Sequence, residues 1–166
     1  MDNYLNAMRS GEQQLEFLTE GFVKMSRLEQ NMIQVRKEET DLLKTVRNCL
    51  GRIQKRAEEK QIAFRIELPQ EVNCPHDANW IGEAIDNVLD NAVKYSGDMP
   101  QITVICYQKR GTFVIEIRDN GPGIPKKQQK YIFNKYYQAN KNSTSKKGYG
   151  LGLNYVYNVI KAPQGK

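Results

Sequence analysis

No stretch of this chain approaches the roughly 20 consecutive apolar residues of a membrane-spanning helix, and no signal peptide opens it. Any membrane tie is therefore expected in parts of a parent protein outside this sequence, and the chain itself is expected in the cytoplasm. Histidine occurs once and cysteine three times. Cys49, Cys74 and Cys106 stand far apart with no C-x-x-C pair, which argues against a disulfide framework and against a zinc site. They read as reduced cytosolic thiols. Acidic residues are absent from 126 to 147, where seven lysines fall. The net charge of +6 raises the question of nucleic acid, but no zinc-finger, homeodomain or aromatic ribonucleoprotein pattern is present, so no nucleic-acid partner is expected. The lysines lie between two glycine motifs and place a positive field over a bound anion; a solvated basic loop is the plain alternative. There is no G-x-x-x-x-G-K-[ST] run and no H-R-D or D-F-G set. A P-loop protein and a eukaryotic-type protein kinase are thereby excluded.

What is present is an ordinary soluble composition, 39% hydrophobic and 27% charged over 166 residues, enough for one domain and an appendage. Leu15, Leu18, Phe22, Met25 and Leu28 recur at three- and four-residue steps, predicting an amphipathic helix over 11–30, with residue 2 as an earlier start. Nothing earlier in the chain can cover that stripe, so its expected partner is another helix or a second copy. Met32, Ile33 and Val35 suggest one short strand. Thr40 or Asp41 can cap a helix whose apolar positions are Leu42, Leu43, Val46, Leu50, Ile53 and Ala57. Residues 62–68 alternate as a strand with Ile62, Phe64, Ile66 and Leu68 inward, and Pro69 stops it. The segment 79–95 is the most strongly patterned helix. Runs at 102–107 and 113–118 flank Arg110-Gly111, a hairpin signal. A helix near 126–134, a polar loop over 138–147 and a last helix over 151–161 complete the reading. The order of elements points to an α+β fold, helices layered on a mixed, mostly antiparallel sheet.

Four motifs follow one another. In Glu83-Ala84-Ile85-Asp86-Asn87-Val88-Leu89-Asp90-Asn91-Ala92-Val93-Lys94-Tyr95, Asn87 and Asn91 lie one helical turn apart and point the same way. Amides among inward apolar residues are costly unless they bind something, and their oxygens suit a hard cation such as Mg²⁺. A hydrogen-bonded asparagine ladder is the alternative. Asp119-Asn120-Gly121-Pro122-Gly123-Ile124 comes directly after a β run. A carboxylate there, backed by glycines, can accept a hydrogen bond from an exocyclic amine; a simple turn would look the same. Ile132-Phe133-Asn134-Lys135-Tyr136-Tyr137 is an aromatic cluster, which alone reads as core. Gly148-Tyr149-Gly150-Leu151-Gly152-Leu153 opens into a helix, where backbone N–H groups and the helix dipole favour an anion.

Together these four resemble the nucleotide-binding boxes of the Bergerat-fold ATPases of the GHKL superfamily, in wording most like the sensor histidine kinases of two-component systems. The resemblance runs from about residue 32 to 162, and Met25-Ser26-Arg27-Leu28-Glu29 is similar to the end of that family's second dimerisation helix. It implies a dimerisation helix over 1–31 and an ATP-binding catalytic domain over 32–166. It implies that Asn87 and Asn91 hold Mg²⁺, that Lys94 approaches the phosphates, and that Tyr95 and Asp119 meet the adenine. Gly121 and Gly123 would line the base pocket, and Gly148, Gly150 and Gly152 would cradle the phosphates; Ile124, Tyr136, Lys147, Tyr149, Leu151 and Leu153 would also meet the nucleotide. The 138–147 loop would be an ATP lid. The implied partners are ATP, a second copy through the N-terminal helix, and a response regulator.

The chain departs from the family in three places. The phosphoaccepting His-Glu motif is absent, and His76 in Cys74-Pro75-His76-Asp77 reads as an ordinary surface residue in a loop. Gln138 stands where many relatives carry arginine. Where relatives continue into two more strands, this sequence ends at Ala162-Pro163-Gln164-Gly165-Lys166, so the strand at 113–118 is expected to be an edge. Glu83 keeps open an ATP-hydrolysing relative that would use a glutamate as general base; a degenerate docking module is the third reading.

Overall fold

The computed structural model describes residues 35–139 and 149–162 without a break, and twelve positions between Tyr4 and Ser26. Two units divide at residue 34. In the first, every described residue is helical, from Tyr4 to Ser26, so helix is present ahead of Gly11. Leu15 and Phe22 of the apolar stripe are exposed, whereas Leu18, Met25 and Leu28 lie outside the described residues. Among the described residues no helix is long and apolar enough to cross a membrane.

The second unit opens with strand β1 (Glu38–Asp41), which runs straight into helix α1 (Leu42–Glu59). Asp41 is the cap: its carboxylate accepts the Leu43 N–H at 3.0 Å and the Val72 N–H at 3.2 Å. Desolvation works to raise its pKa, yet those N–H donors and the Arg47 guanidinium hold the carboxyl below its ordinary value. Strand β2 (Ala63–Glu67) and strand β3 (Asn73–His76) follow. Helix α2 (Ala78–Tyr95) starts at Asp77, whose side chain accepts from the Asn79 and Trp80 N–H groups. Strands β4 (Gln101–Lys109) and β5 (Thr112–Asp119) form the expected hairpin. Its two turn residues, Arg110 (φ 51°) and Gly111 (φ 79°), are both left-handed, the twist a two-residue hairpin needs. A single turn, α3 (Lys126–Gln129), and helix α4 (Gly152–Lys161) complete the unit.

The strands make two sheets. β1 pairs antiparallel with β3; β2 pairs parallel with β4, and β4 antiparallel with β5. In the three-stranded sheet the order is β2-β4-β5, so β5 is an edge among the described residues, as expected. Val46, Cys49 and Ile53 of α1, Ile85, Leu89 and Val93 of α2, and Ile102 and Val104 of β4 form one buried cluster. Burial of these apolar faces is the main force holding helices on sheet. Exposed ion pairs from Arg52 to Asp86 and from Arg56 to Asp90 join α1 to α2 and add little. Burial pushes the Cys49 thiol up to about 12 and raises Cys74 and Cys106, so all three are free, protonated thiols at neutral pH.

Several local expectations are corrected. The first strand is 38–41; Val35 is outside it, and Met32 and Ile33 lie outside the described residues. His76 is not a surface loop residue. It ends β3 and is only 6% exposed, because pairing with β1 turns it onto α1, where its Nε2 meets Thr45 Oγ1 at 3.0 Å. Ile66, on the outer strand β2, is 49% exposed, unlike Phe64 and Leu68 on the same face, which pack on the core. The helix near 126–134 closes after one turn at Gln129.

Candidate functional site

Helix α2 presents Asn87 and Asn91 half-buried, one turn apart. Asn87 Nδ2 donates to the Glu83 carbonyl at 2.8 Å, and this fixes which end of the amide faces outward. Its oxygen meets Gly152: a β-carbon added there would lie 2.7 Å from Asn87 Oδ1. The amide oxygen of the first motif is thus directed at the glycine that opens α4. The positive end of the α4 dipole lies at the same place. Lys94, half-buried near the end of α2, holds its ammonium 5.0 Å from the centre of the Tyr95 ring.

The end of α2 also meets the second motif. Gly121 sits so close that a β-carbon would be 2.4 Å from the Tyr95 carbonyl oxygen. The Gly121 N–H donates to Asp119 Oδ1 at 2.8 Å, orienting the carboxylate at the end of β5. Asn120 laces the turn to the chain after α2, donating to the Met99 carbonyl at 3.0 Å and accepting from the Gln101 N–H at 2.9 Å. Gly123 (φ 71°) and Ile124 continue the turn on the surface, and the Ile124 carbonyl accepts from Gln129 Nε2 at 2.9 Å.

The aromatic segment is not core: Tyr136 is 57% exposed and left-handed (φ 61°). Its role is to hold the glycine motif, through a Tyr136 N–H bond to the Gly150 carbonyl at 2.9 Å. Asn154 Nδ2 donates to the Phe133 carbonyl at 2.6 Å, and the Phe133 and Tyr157 rings stand 5.5 Å apart. Tyr149, Leu151 and Leu153 are half-buried around these contacts. Lys147 and Gly148, with the rest of 140–148, lie outside the described residues. Asn87 is therefore brought to Gly152, Tyr95 to Gly121, and Tyr136 to Gly150. Sequence reasoning missed Tyr155, whose hydroxyl donates to Glu83 Oε2 at 2.5 Å. No spacing signal links two residues 72 positions apart. It also missed Asn120 and Asn154, whose amides act through backbone groups.

Residues 76–166, more than half of the chain, match the family model for the histidine kinase-, DNA gyrase B-, and HSP90-like ATPases. The chain belongs to that family. Its ATP-binding domain is of the sensor-histidine-kinase type. The adaptive-response sensory kinase SasA of Gloeothece citriformis is 35% identical over 111 residues, 66% of this chain and 28% of that protein. The sensor histidine kinase YvrG of Bacillus subtilis is 28% identical over 129 residues, 76% of this chain and 22% of that one. The chain thus spans roughly a quarter of the length of these two curated relatives. Among solved structures, a mycobacterial sensor histidine kinase, MprB, aligns with a TM-score of 0.65 at 30% identity, over 75% of this chain and 78% of that one. ShkA in complex with AMPPNP aligns with a TM-score of 0.84 at 22% identity, over 96% of this chain and 33% of that one, a likeness of fold. The Bergerat-type α+β fold expected from the motifs is the one observed.

Proposed function

We propose that this chain is the catalytic region of a two-component sensor histidine kinase, binding ATP with Mg²⁺ and passing the γ-phosphoryl group to a histidine outside this sequence, for relay to a response-regulator aspartate. The observation that carries the reading is the Asn87 amide, its nitrogen tied to Glu83 and its oxygen turned to Gly152 at the start of α4. A hard cation fits that donor set, since amide oxygens leave room for waters and phosphate oxygens. Bound there by Asn87 and Asn91, Mg²⁺ would neutralise phosphate charge. The chain's own residues do the rest: the α4 N–H groups receive phosphate oxygens, Lys94 adds positive charge, and Asp119 takes the adenine amine. Phosphoryl transfer asks for positioning and charge neutralisation more than covalent help from the protein. Closure of the 138–147 loop over the nucleotide would exclude water. In the parent protein the N-terminal helix would pair with a second copy, and the whole region would lie on the cytoplasmic side of a membrane-anchored sensor.

The ATP-hydrolysing alternative needs Glu83 as a base. Its carboxylate instead accepts a 2.5 Å hydrogen bond from the Tyr155 hydroxyl, which ties it to α4. Titration calorimetry tests the proposed reading. ATP should bind in the micromolar to millimolar range and more tightly with Mg²⁺ than without. Asn91→Ala should abolish that dependence. Binding of ATP indifferent to Mg²⁺ in the unaltered chain would sink the metal assignment. Incubation with ATP should leave no acid-labile phosphate on the chain. Both nitrogens of its single histidine are engaged, Nε2 with Thr45 and Nδ1 with the Cys74 carbonyl at 2.9 Å. Phosphohistidine at His76 would refute this.

A further inference from the structure

Tyr155 lies on α4, three residues beyond Gly152, and is 6% exposed. Its ring stacks on Trp80 of α2 at 5.9 Å between centroids. Its hydroxyl donates to Glu83 Oε2 at 2.5 Å. The same Glu83 accepts the Asn87 side-chain N–H on its main-chain carbonyl. One residue therefore holds two things: through its backbone the amide that faces Gly152, and through its carboxylate the helix that Gly152 begins. Burial of the phenol, with the Glu83 carboxylate beside it, raises the Tyr155 pKa, so the hydroxyl remains a donor throughout the neutral range.

Resting on the nucleotide-site reading above, we propose that Tyr155 is a positioning residue for the metal-bound phosphates, fixing the start of α4 against Asn87 through Glu83. The closed set is Tyr155 to Glu83, Glu83 to Asn87, Asn87 to Gly152, and Gly152 back along α4 to Tyr155. Loosening any member lets the first turn of α4 move relative to the Asn87 oxygen. Both groups lie at the phosphate end of the site. The adenine end is built from other elements, Asp119 at the end of β5 and Gly121 against the Tyr95 carbonyl at the end of α2. The bond therefore affects the increment in affinity that Mg²⁺ and phosphates bring, and leaves base binding alone. A hydrogen bond to a charged group is one of the stronger kinds, and its loss on this increment is on the order of tenfold.

The test compares the unaltered chain with Tyr155→Phe, which keeps the ring on Trp80 and removes only the hydroxyl. Calorimetry would give affinities for ATP with and without Mg²⁺, and for adenosine alone. The expected result is an adenosine affinity unchanged and a Mg²⁺ increment reduced on the order of tenfold. Glu83→Gln, which leaves an acceptor for the hydroxyl, should retain most of the increment. An undiminished increment in Tyr155→Phe overturns the proposal, as does a loss of adenosine and Mg²⁺-ATP binding in equal proportion, which marks a purely structural role. Complete loss of the increment in Glu83→Gln also overturns it. Failure of the unaltered chain to bind any nucleotide removes the preceding reading and this one together. Binding by the unaltered chain with no change in Tyr155→Phe removes this one alone.

Discussion

Replacing Asp119 by alanine is expected to lower ATP affinity ten- to a hundredfold and to leave ATP and GTP bound about equally. The carboxylate ends β5, and one oxygen is occupied by the Gly121 N–H at 2.8 Å, which fixes its direction. The remaining acceptor capacity suits a donor such as the exocyclic amine of adenine. Guanine presents a carbonyl oxygen at that position, so the unaltered chain should prefer ATP. A charge-assisted bond of this kind contributes about 1.5–3 kcal/mol, which sets the size of the effect. In the proposed site the glycines would let the base approach the backbone beside it, and Gly121 is itself pressed on the Tyr95 carbonyl, which opposes a shift of the turn. Competition calorimetry with the two nucleotides decides the matter. Equal affinities for ATP and GTP before any substitution would remove Asp119 from the site.

Gly150→Ala should be the most damaging of the single-methyl changes. At φ 69° an L-residue is strained by about 1–2 kcal/mol. The added carbon would also stand 2.5 Å from the Tyr137 carbonyl oxygen and 2.6 Å from the Tyr136 carbonyl carbon. Those are backbone atoms, so relief requires the glycine motif to part from the aromatic segment and breaks the Tyr136 N–H bond to Gly150. Gly123→Ala is the matched control, because its φ of 71° is nearly the same but nothing lies within 4 Å of the new carbon. Gly123→Ala should cost only the dihedral strain. Gly150→Ala should cost at least about twice as much and lower the melting temperature correspondingly more, by several degrees for each kcal/mol. Equal melting temperatures for the two variants would show that the close packing around Gly150 is not maintained in solution.

The helices α1 and α2 were legible because each carries a long stripe of apolar residues at helical spacing, and α1 also because Asp41 stands ready to cap it. The hairpin was legible because Arg110-Gly111 accepts left-handed backbone between two β-rich runs. β3 was not legible. Asn73-Cys74-Pro75-His76 has low strand propensity and contains proline, and it becomes a strand only by pairing with β1, which itself reads as charged and polar. The burial of His76 is hidden for the same reason, since it depends on that pairing. After Gln129 the chain turns rather than continuing as helix, held by bonds from Tyr136 to Gly150 and from Asn154 to Phe133, and those partners lie 14 and 21 residues away. The four motifs themselves were plain in the sequence, as residue types in order. What residue order cannot carry is the orientation of an amide. Whether Asn87 offers oxygen or nitrogen to the glycine turn is decided by the Glu83 carbonyl behind it.

The stack of Trp80 on Tyr155 gives the molecule an optical property. Trp80 is the single tryptophan in the chain, so light absorbed above the tyrosine band is re-emitted from one known position. That position is the joint where α2, carrying the amides, meets α4, carrying the glycine turn. A phenol ring stacks on the indole, and both its emission colour and its lifetime depend on how closely that ring sits. The unlabelled protein therefore carries its own gauge of that joint, and a nucleotide that draws the two helices together or apart registers in the emission of the single indole.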